Sequence, residues 1–427
     1  MAKREEPNPL APFPKKEAGE SGVHSPVPQL AAVALLAAFA LYQAVAHNNF
    51  PDFFIYRAGA VIGLRGESPY DAEKVRGMVA AEFPDAEMLI ANCGFFLPPQ
   101  AVALFAPFAA LPYPAAKVAW ALATGVAGLG VLLLPRLFGR TREGIDRLWP
   151  AAPLIAFAVL LAPTLTVPIV LVGQTTLLFV GCVAAGQWCF ERGRPTLGAL
   201  LWAVPFVKPH LALPLLPLAW YLGGWKRAAA VAGVVAGLNL LGGLIAGGSL
   251  LFFRDYLDFL GAGHKAVAFN RVELNPQVTS WNRLLFAAGG PLIELTAATT
   301  LAGYLVWSGL LAGRYAITGR RPSAAWALAA AATGSVLCSQ VLGYEVLVLA
   351  LALPWVLDLL AAGRSGWAFA AVALLAVQWI PYPQYLAWVE SLAAAGQWEA
   401  LLLSYRAAGV ALLAAVVLVG PSAERPA

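Results

Sequence analysis

Charged residues are scarce in this sequence. They make up 12% of the 427 residues, while 60% of the residues are hydrophobic. A soluble globular protein has about 25% charged residues, and no water-soluble core of this size could hide so much apolar surface. The surrounding medium must therefore itself be apolar, which predicts a polytopic membrane protein. The small net charge of +5 gives no reason to expect a nucleic-acid partner.

Cysteine and the common metal and nucleotide motifs are scarce or absent as well. The four cysteines have no CxxC spacing, so we expect neither a disulfide framework nor a zinc site. The sequence has no Walker A loop, no HExxH pair and no GxSxG elbow. It also has no Asp-x-Asp pair in its first polar loop, which argues against a sugar-nucleotide site built around a divalent metal. These absences predict no ATP-driven transport, no metal site and no cofactor.

The apolar segments predict an all-α membrane protein, a helical bundle of about twelve spans. Residues 1–27 are predicted to be a disordered cytoplasmic tail, 28–420 the transmembrane domain and 421–427 a second tail. The predicted spans are 28–47, 114–136, 150–172, 174–190, 195–207, 209–222, 225–247, 287–312, 322–340, 343–361, 366–380 and 400–420. Segment 98–112 is apolar but short and rich in proline, so we predict a re-entrant hairpin there. Interfacial helices are expected near 71–84 and 249–260.

Lysine and arginine in the short loops predict the orientation. Basic residues gather in the N-terminal tail and in segments 136–147, 191–194, 226–227 and 314–321. The positive-inside rule places these segments, and the N-terminus, in the cytoplasm. The opposite side then receives two long polar segments, 48–96 and 248–286, which are the first and second extracytoplasmic loops.

Asp52 is the first candidate for chemistry, because it follows the first span directly. An ionisable group at the edge of a membrane helix marks a site by default. An Asp before an apolar run is also a good helix N-cap, and the sequence leaves both interpretations open. Tyr56 and Arg57 follow one helical turn later, where they could orient the carboxylate or a phosphate.

Two further polar residues lie between apolar segments. The two apolar segments on either side of Gln174 leave no residues for a loop between them. Gln174 is therefore either a turn residue whose polar atoms are hydrogen-bonded or part of a site. Lys208 precedes Pro209, and it either snorkels to the interface or meets an anion, for which phosphate is the natural choice near a membrane. His210 is close enough in the chain to assist.

The remaining candidates lie later in the chain. Asn275 and Gln277 belong to the polar stretch AFNRVELNPQVTSWNRLL, whose amides suit sugar hydroxyls but would equally suit an ordinary loop. Tyr344 and Glu345 lie in a gap between two spans, where Glu345 begins an apolar helix.

Four stretches in order carry a resemblance to a known family. They are DFFIYRAGAVIGLRGESPYD (52–71), FLPPQAVALFAPFAALP (96–112), GQTTLLFVG (173–181) and GALLWAVPFVKPHLALPLLPLAW (198–220). Each is loose, but their order and spacing resemble glycosyltransferase family 87, the polyprenyl-phosphate-mannose-dependent mannosyltransferases of GT-C architecture. The resemblance departs at SQVLGYEV, where Gln340 stands in place of the family's Pro, which leaves the roles of Tyr344 and Glu345 open.

The Ala- and Gly-rich composition indicates a bacterial plasma membrane, and the resemblance implies an enzyme there. It would move mannose, or another hexose or pentose, from a polyprenyl-phosphate donor to a lipid or glycan acceptor on the extracytoplasmic side. Asp52 would be the base of a metal-independent, inverting displacement, and Lys208, Arg57 and His210 would bind the donor phosphate. Sugar or acceptor contacts are expected from Tyr56, Gln174, Asn275, Gln277, Tyr344 and Glu345. The alternative is a flippase or transporter of a polyprenyl-linked glycan intermediate.

Overall fold

The structure is a computed structural model, and part of the chain is described. The described residues are 27–46, 50–85, 90, 93–138, 163–247, 252–266, 272, 275, 278–294, 296–319, 322–380 and 402–421. Within them the chain forms helices and no strand, with one isolated antiparallel bridge between Thr279 and Val341. The predicted all-α class is confirmed.

The helices described before residue 250 range from 4 to 31 residues in length. They are α1 (Val27–Ala46), α2 (Pro51–Leu64), α3 (Ala72–Glu82), α4 (Gln100–Ala109), α5 (Tyr113–Phe138), α6 (Pro163–Val172), α7 (Thr176–Glu191), α8 (Pro195–Ala203), a 3₁₀ helix (Val204–Val207), α9 (Pro209–Ala212) and α10 (Leu215–Ile245).

The later helices that the structure describes begin with an amphipathic one. They are α11 (Phe252–Ala266), α12 (Trp281–Ala287), α13 (Ala297–Thr318), α14 (Ala324–Cys338), a second 3₁₀ helix (Glu345–Ala352), α15 (Leu353–Ala361), α16 (Ser365–Val377) and α17 (Tyr405–Val419).

Within the described residues, two stretches of helix are long and apolar enough to cross a membrane. They are Tyr113–Val131 and Leu215–Ile245, and several shorter apolar helices accompany them. The second stretch consists of two helices that meet at a kink, because Gly224 has a φ of 73° and a ψ of −177°. The count of twelve spans therefore remains a prediction.

Several predicted spans differ from the helices that the structure describes; 195–207 ends as a 3₁₀ helix, 209–222 is divided between α9 and α10, and two later spans differ as well. The span 287–312 begins later, because the chain is irregular from Gly290 and the Thr296 side chain starts the helix by accepting a hydrogen bond from the Thr299 amide. The span 343–361 begins as a 3₁₀ helix over Glu345–Ala352. Pro354 explains the change of geometry, since it has no N–H and its ring crowds the preceding turn of an α-helix.

α7 and α8 form a close hairpin that leads to the site. A Cβ on Gly186 would lie 2.2 Å from Cδ1 of Trp202, so glycine is required for this approach. The indole of Trp202 donates to the Val183 carbonyl at 2.9 Å. The hairpin therefore returns the chain to the end of α7 at which it began, and the residues after α8 lie near Gln174.

Candidate active site

Asp52 lies in the first turn of α2. Phe50 is the N-cap residue and Pro51 follows it, so the helix begins before Asp52 rather than at it. Among the residues that the structure describes, the Asp52 carboxylate accepts no capping hydrogen bond. It accepts one from Nε2 of Gln174. The capping interpretation of Asp52 is thus not what the structure shows.

A tight turn brings Gln174 to the start of α2. Gly173 adopts a φ of +74°, and a Cβ there would lie 2.6 Å from Cβ of Phe53 and 3.0 Å from Cβ of Phe50. The Phe50 amide donates to the Leu171 carbonyl at 2.8 Å. Only glycine combines this backbone conformation with this close approach, so the turn after α6 is held directly against Asp52's helix.

Gln174 uses both of its polar atoms twice. Its Oε1 accepts hydrogen bonds from the Tyr56 hydroxyl at 3.0 Å and from Nζ of Lys208 at 2.6 Å. Its Nε2 donates to Asp52 and, at 3.2 Å, to the hydroxyl of Tyr344. An amide offers two donors and two acceptor positions, so a sugar hydroxyl can bind Gln174 only by displacing one of these partners.

Lys208 lies between the first 3₁₀ helix and α9, held by Pro209 at the start of α9. It is 5% exposed, so it does not snorkel to a surface. Its ammonium donates to Gln174 and, at 2.5 Å, to Oε1 of Glu345. An ammonium has three N–H donors, and one of the three stays available beyond these described contacts.

Glu345 is the second carboxylate of the cluster. Its Oε2 accepts a hydrogen bond from the Leu342 amide at 2.9 Å, which anchors it at the entry of the second 3₁₀ helix. The Thr279–Val341 bridge ties the second polar loop to this entry. Tyr344 directly precedes Glu345, and the centroid of its ring lies 5.7 Å from Nζ of Lys208. The second 3₁₀ helix therefore contributes its N-cap residue, Tyr344, and its first residue, Glu345, to the cluster.

The other predicted residues lie at varying distance from this cluster. The Arg57 guanidinium donates to the carbonyls of Phe108 and Leu111, at 3.2 and 2.6 Å, and these bonds hold it to the turn after α4. His210 interacts electrostatically with Glu345. Asn275 is half-buried and its carbonyl accepts from the Val278 amide. The structure does not place Arg57 or Asn275 in contact with Asp52, and Gln277 lies outside the described residues.

Asp52 has the electrostatic properties of a base. Burial raises its pKa to about 6, which outweighs the lowering by Lys208 and by the hydrogen bond from Gln174; Glu345 adds a smaller upward effect. A base works best when its pKa lies near the working pH. Asp52 is still partly exposed, and one carboxylate oxygen is not bound by any described residue.

Sequence reasoning named all six polar residues of the cluster, which are Asp52, Tyr56, Gln174, Lys208, Tyr344 and Glu345, but missed how they pair. The Lys208–Glu345 ion pair joins positions 137 residues apart, and its side chains are 6% and 8% exposed. A charged residue at the first position of an apolar helix was the only signal for Glu345. Its partner depends on the packing of four separate helices, which a single sequence does not reveal.

A comparison with protein families decides the classification. The profile of glycosyltransferase family 87 matches residues 95–339, more than half of the chain. The chain belongs to glycosyltransferase family 87. Membership of family 87 makes this protein a membrane glycosyltransferase. The matched range includes Gln174 and Lys208 but ends before Glu345 and begins after Asp52. No curated protein and no solved structure matches the chain.

Proposed function

We propose that this family 87 enzyme transfers mannose, or another hexose or pentose, from a polyprenyl-phosphate donor to a hydroxyl of a lipid or glycan acceptor. The reaction takes place on the extracytoplasmic face of a bacterial plasma membrane. One observation carries the proposal: Asp52 and Lys208, a base and a cation from distant parts of the chain, bind the same amide, that of Gln174.

The reaction is a single displacement at the anomeric carbon. The acceptor hydroxyl gives its proton to the available oxygen of Asp52, and its oxygen forms a bond to the anomeric carbon. The bond between that carbon and the phosphate oxygen breaks, and its electron pair leaves with the polyprenyl phosphate. One carboxylate suffices for this step, so the anomeric configuration is inverted.

Lys208 stabilises the leaving group. The polyprenyl phosphate gains negative charge as its bond to the sugar breaks, and an ammonium held in a buried position stabilises that charge more than it would in water. The remaining N–H donor of Lys208 can form a hydrogen bond with a phosphate oxygen of the donor. The hydroxyls of Tyr56 and Tyr344 both form hydrogen bonds with Gln174, and we assign them to contacts with the sugar or the acceptor.

Replacement of the base tests the proposal. Asp52→Asn should lower turnover by about 10²–10⁴-fold, the usual contribution of a general base, while expression and folding are retained. The assay measures release of polyprenyl phosphate from polyprenyl-phosphate mannose by the purified protein with candidate acceptors. Asp258→Asn is the matched control, since Asp258 is exposed on α11 and pairs only loosely with Arg254 at 3.6 Å.

The same assay separates the competing function. Full activity of Asp52→Asn would remove Asp52 from the chemistry. Redistribution of the intact lipid donor across vesicles, without release of polyprenyl phosphate, would favour a flippase. Release by the wild-type protein and by Asp258→Asn, but not by Asp52→Asn, supports the transferase.

A further inference from the structure

The cation assigned to the donor phosphate already has an anionic partner. Nζ of Lys208 lies 2.5 Å from Oε1 of Glu345, and both side chains are almost fully buried. Removing one partner of a buried ion pair is costly because it leaves the other charge uncompensated, whereas a phosphate oxygen can form the same charge-assisted hydrogen bond to an ammonium as a carboxylate oxygen. A phosphate that binds Lys208 must therefore compete with the carboxylate of Glu345 for the same ammonium.

The charges around Lys208 make this competition costly for an anionic ligand. Asp52 and Glu345 are two carboxylates against one ammonium, so the cluster carries an excess negative charge when both are ionised. A phosphodiester donor adds another negative charge at close range, and repulsion between like charges is strong in a buried site. His210 also interacts electrostatically with Glu345.

Glu345 has a second hydrogen-bonding partner that it keeps when it releases Lys208. Its second oxygen is bound by the Leu342 amide, which is independent of Lys208. The carboxylate can therefore give up Lys208 and keep a hydrogen-bonding partner, and it can return without refolding of the loop.

We propose that Glu345 is an internal competitor of the donor phosphate for Lys208. Glu345 releases the ammonium as the phosphate binds and takes it back after transfer, which promotes departure of the polyprenyl phosphate product. This inference rests on the proposed function, and it replaces a sugar-binding role for Glu345 with a positioning role that acts through Lys208.

The inference predicts an unusual gain. Glu345→Gln keeps the shape of the side chain but removes its charge, so the phosphate no longer competes with a carboxylate. Affinity for a phosphate ligand should rise by about tenfold or more. KM for the donor should fall, product inhibition by polyprenyl phosphate should strengthen, and kcat should decrease because product leaves more slowly.

The experiment measures binding of farnesyl phosphate to the purified full-length protein by calorimetry, with farnesol as the uncharged probe of the same chain length. Glu345→Gln should bind farnesyl phosphate more tightly and farnesol unchanged. Glu345→Asp keeps the charge but shortens the reach to Lys208. Its affinity for farnesyl phosphate should therefore lie between those of the wild-type protein and Glu345→Gln. Glu67→Gln is the control, since Glu67 forms an exposed pair with Lys74 at 2.5 Å.

A second measurement tests whether the effect passes through Lys208. In a Lys208→Met background the gain from Glu345→Gln should be smaller, because Glu345 and the phosphate then have no cation to compete for and only their direct repulsion remains. Unchanged or weaker binding of farnesyl phosphate by Glu345→Gln would overturn the inference. If Glu345→Gln does not fold, the Asp variant decides, and equal or weaker binding by that variant overturns the inference as well.

Failure of the proposed function gives a different pattern. If the wild-type protein does not release polyprenyl phosphate from any sugar donor, the transferase proposal fails whatever Glu345 does. If the wild-type protein is active and Glu345→Gln shows no gain in phosphate affinity, only the role of Glu345 fails.

Discussion

The two oxygens of Asp52 have separate tasks at the scale of single residues. One oxygen accepts a hydrogen bond from Gln174, and this bond fixes the rotation of the carboxylate. The other faces no described partner and is the one that can take a proton. A carboxylate held in this way loses little freedom when the acceptor arrives, which is the advantage of a pre-positioned base.

The protonation of Asp52 predicts the pH dependence of the reaction. Its pKa is raised to about 6, so the carboxylate is ionised at neutral pH and becomes protonated as the pH falls through that value. We expect kcat/KM to be constant near neutrality and to fall about tenfold per pH unit below the pKa. Rates measured across that range at acceptor concentrations well below KM give this profile, and the residual activity of Asp52→Asn serves as the control.

The comparison with that variant decides the assignment. The acid limb should be absent from Asp52→Asn, because an amide does not titrate there. A limb of the same position in both proteins would assign it to another group, and a wild-type rate independent of pH down to about 4.5 would show that no base of this kind is used.

The sequence was most informative at this scale. Polar residues wedged between apolar segments, such as Gln174 and Lys208, are expensive and so marked the site by themselves. It could not show that Gln174 binds four partners at once or that Lys208 meets Glu345. Those facts depend on side-chain directions after packing, and the contacts join residues more than thirty positions apart.

At the scale of elements, one turn holds the site together. The Gly173–Gln174 turn links α6 to α7 and packs against the first residues of α2. α2 carries Asp52 and Tyr56, and the turn carries their shared partner. Displacement of this turn would lengthen or break the hydrogen bond between Asp52 and Gln174.

Substitution of Gly173 should expose this dependence. Gly173→Ala adds backbone strain of about 1–2 kcal/mol at a positive φ and forces a methyl group to within 2.6 Å of Phe53. Gly193→Ala is the matched control, because Gly193 has a φ of +70° but no atom within 4 Å of an added Cβ. Melting temperature in detergent and turnover number are measured for both.

Gly173→Ala and Gly193→Ala together should distinguish the effect of backbone strain from the effect of displacing the turn. Both should melt at a lower temperature, but only Gly173→Ala should also lose at least about tenfold in turnover, since a small misplacement of catalytic groups is costly. Equal turnover in the two variants would show that the turn does not position the base.

Element boundaries were the less predictable part of the fold. Hydropathy found the helices α7 and α14 closely, because their apolar runs end in turn residues. It extended the span 287–312 too far toward the N-terminus, since Leu292 and Ile293 are apolar although they precede the helix. It also could not distinguish 3₁₀ from α geometry over Glu345–Ala352, because both bury an apolar run equally well.

At the scale of the whole molecule, the site and the basic loops lie at opposite ends of one hairpin. α7 has 16 residues, and at about 1.5 Å per residue it is roughly 24 Å long. Gln174 precedes its first turn, and Arg192 and Arg194 follow its last. α8 and the 3₁₀ helix return the chain to Lys208, which contacts Gln174. Because short basic loops tend to face the cytoplasm, we propose that the site lies on the other face.

Thiol labelling tests this placement in a background from which the four native cysteines have been removed. Ala81→Cys lies exposed on α3 in the first polar loop, and Thr196→Cys lies exposed at the start of α8. Both replace a small uncharged residue and neither touches the site. A membrane-impermeant maleimide should label Ala81→Cys in intact cells and Thr196→Cys only after permeabilisation. Labelling of both from the same side would contradict the orientation, since the hairpin would then not cross the bilayer.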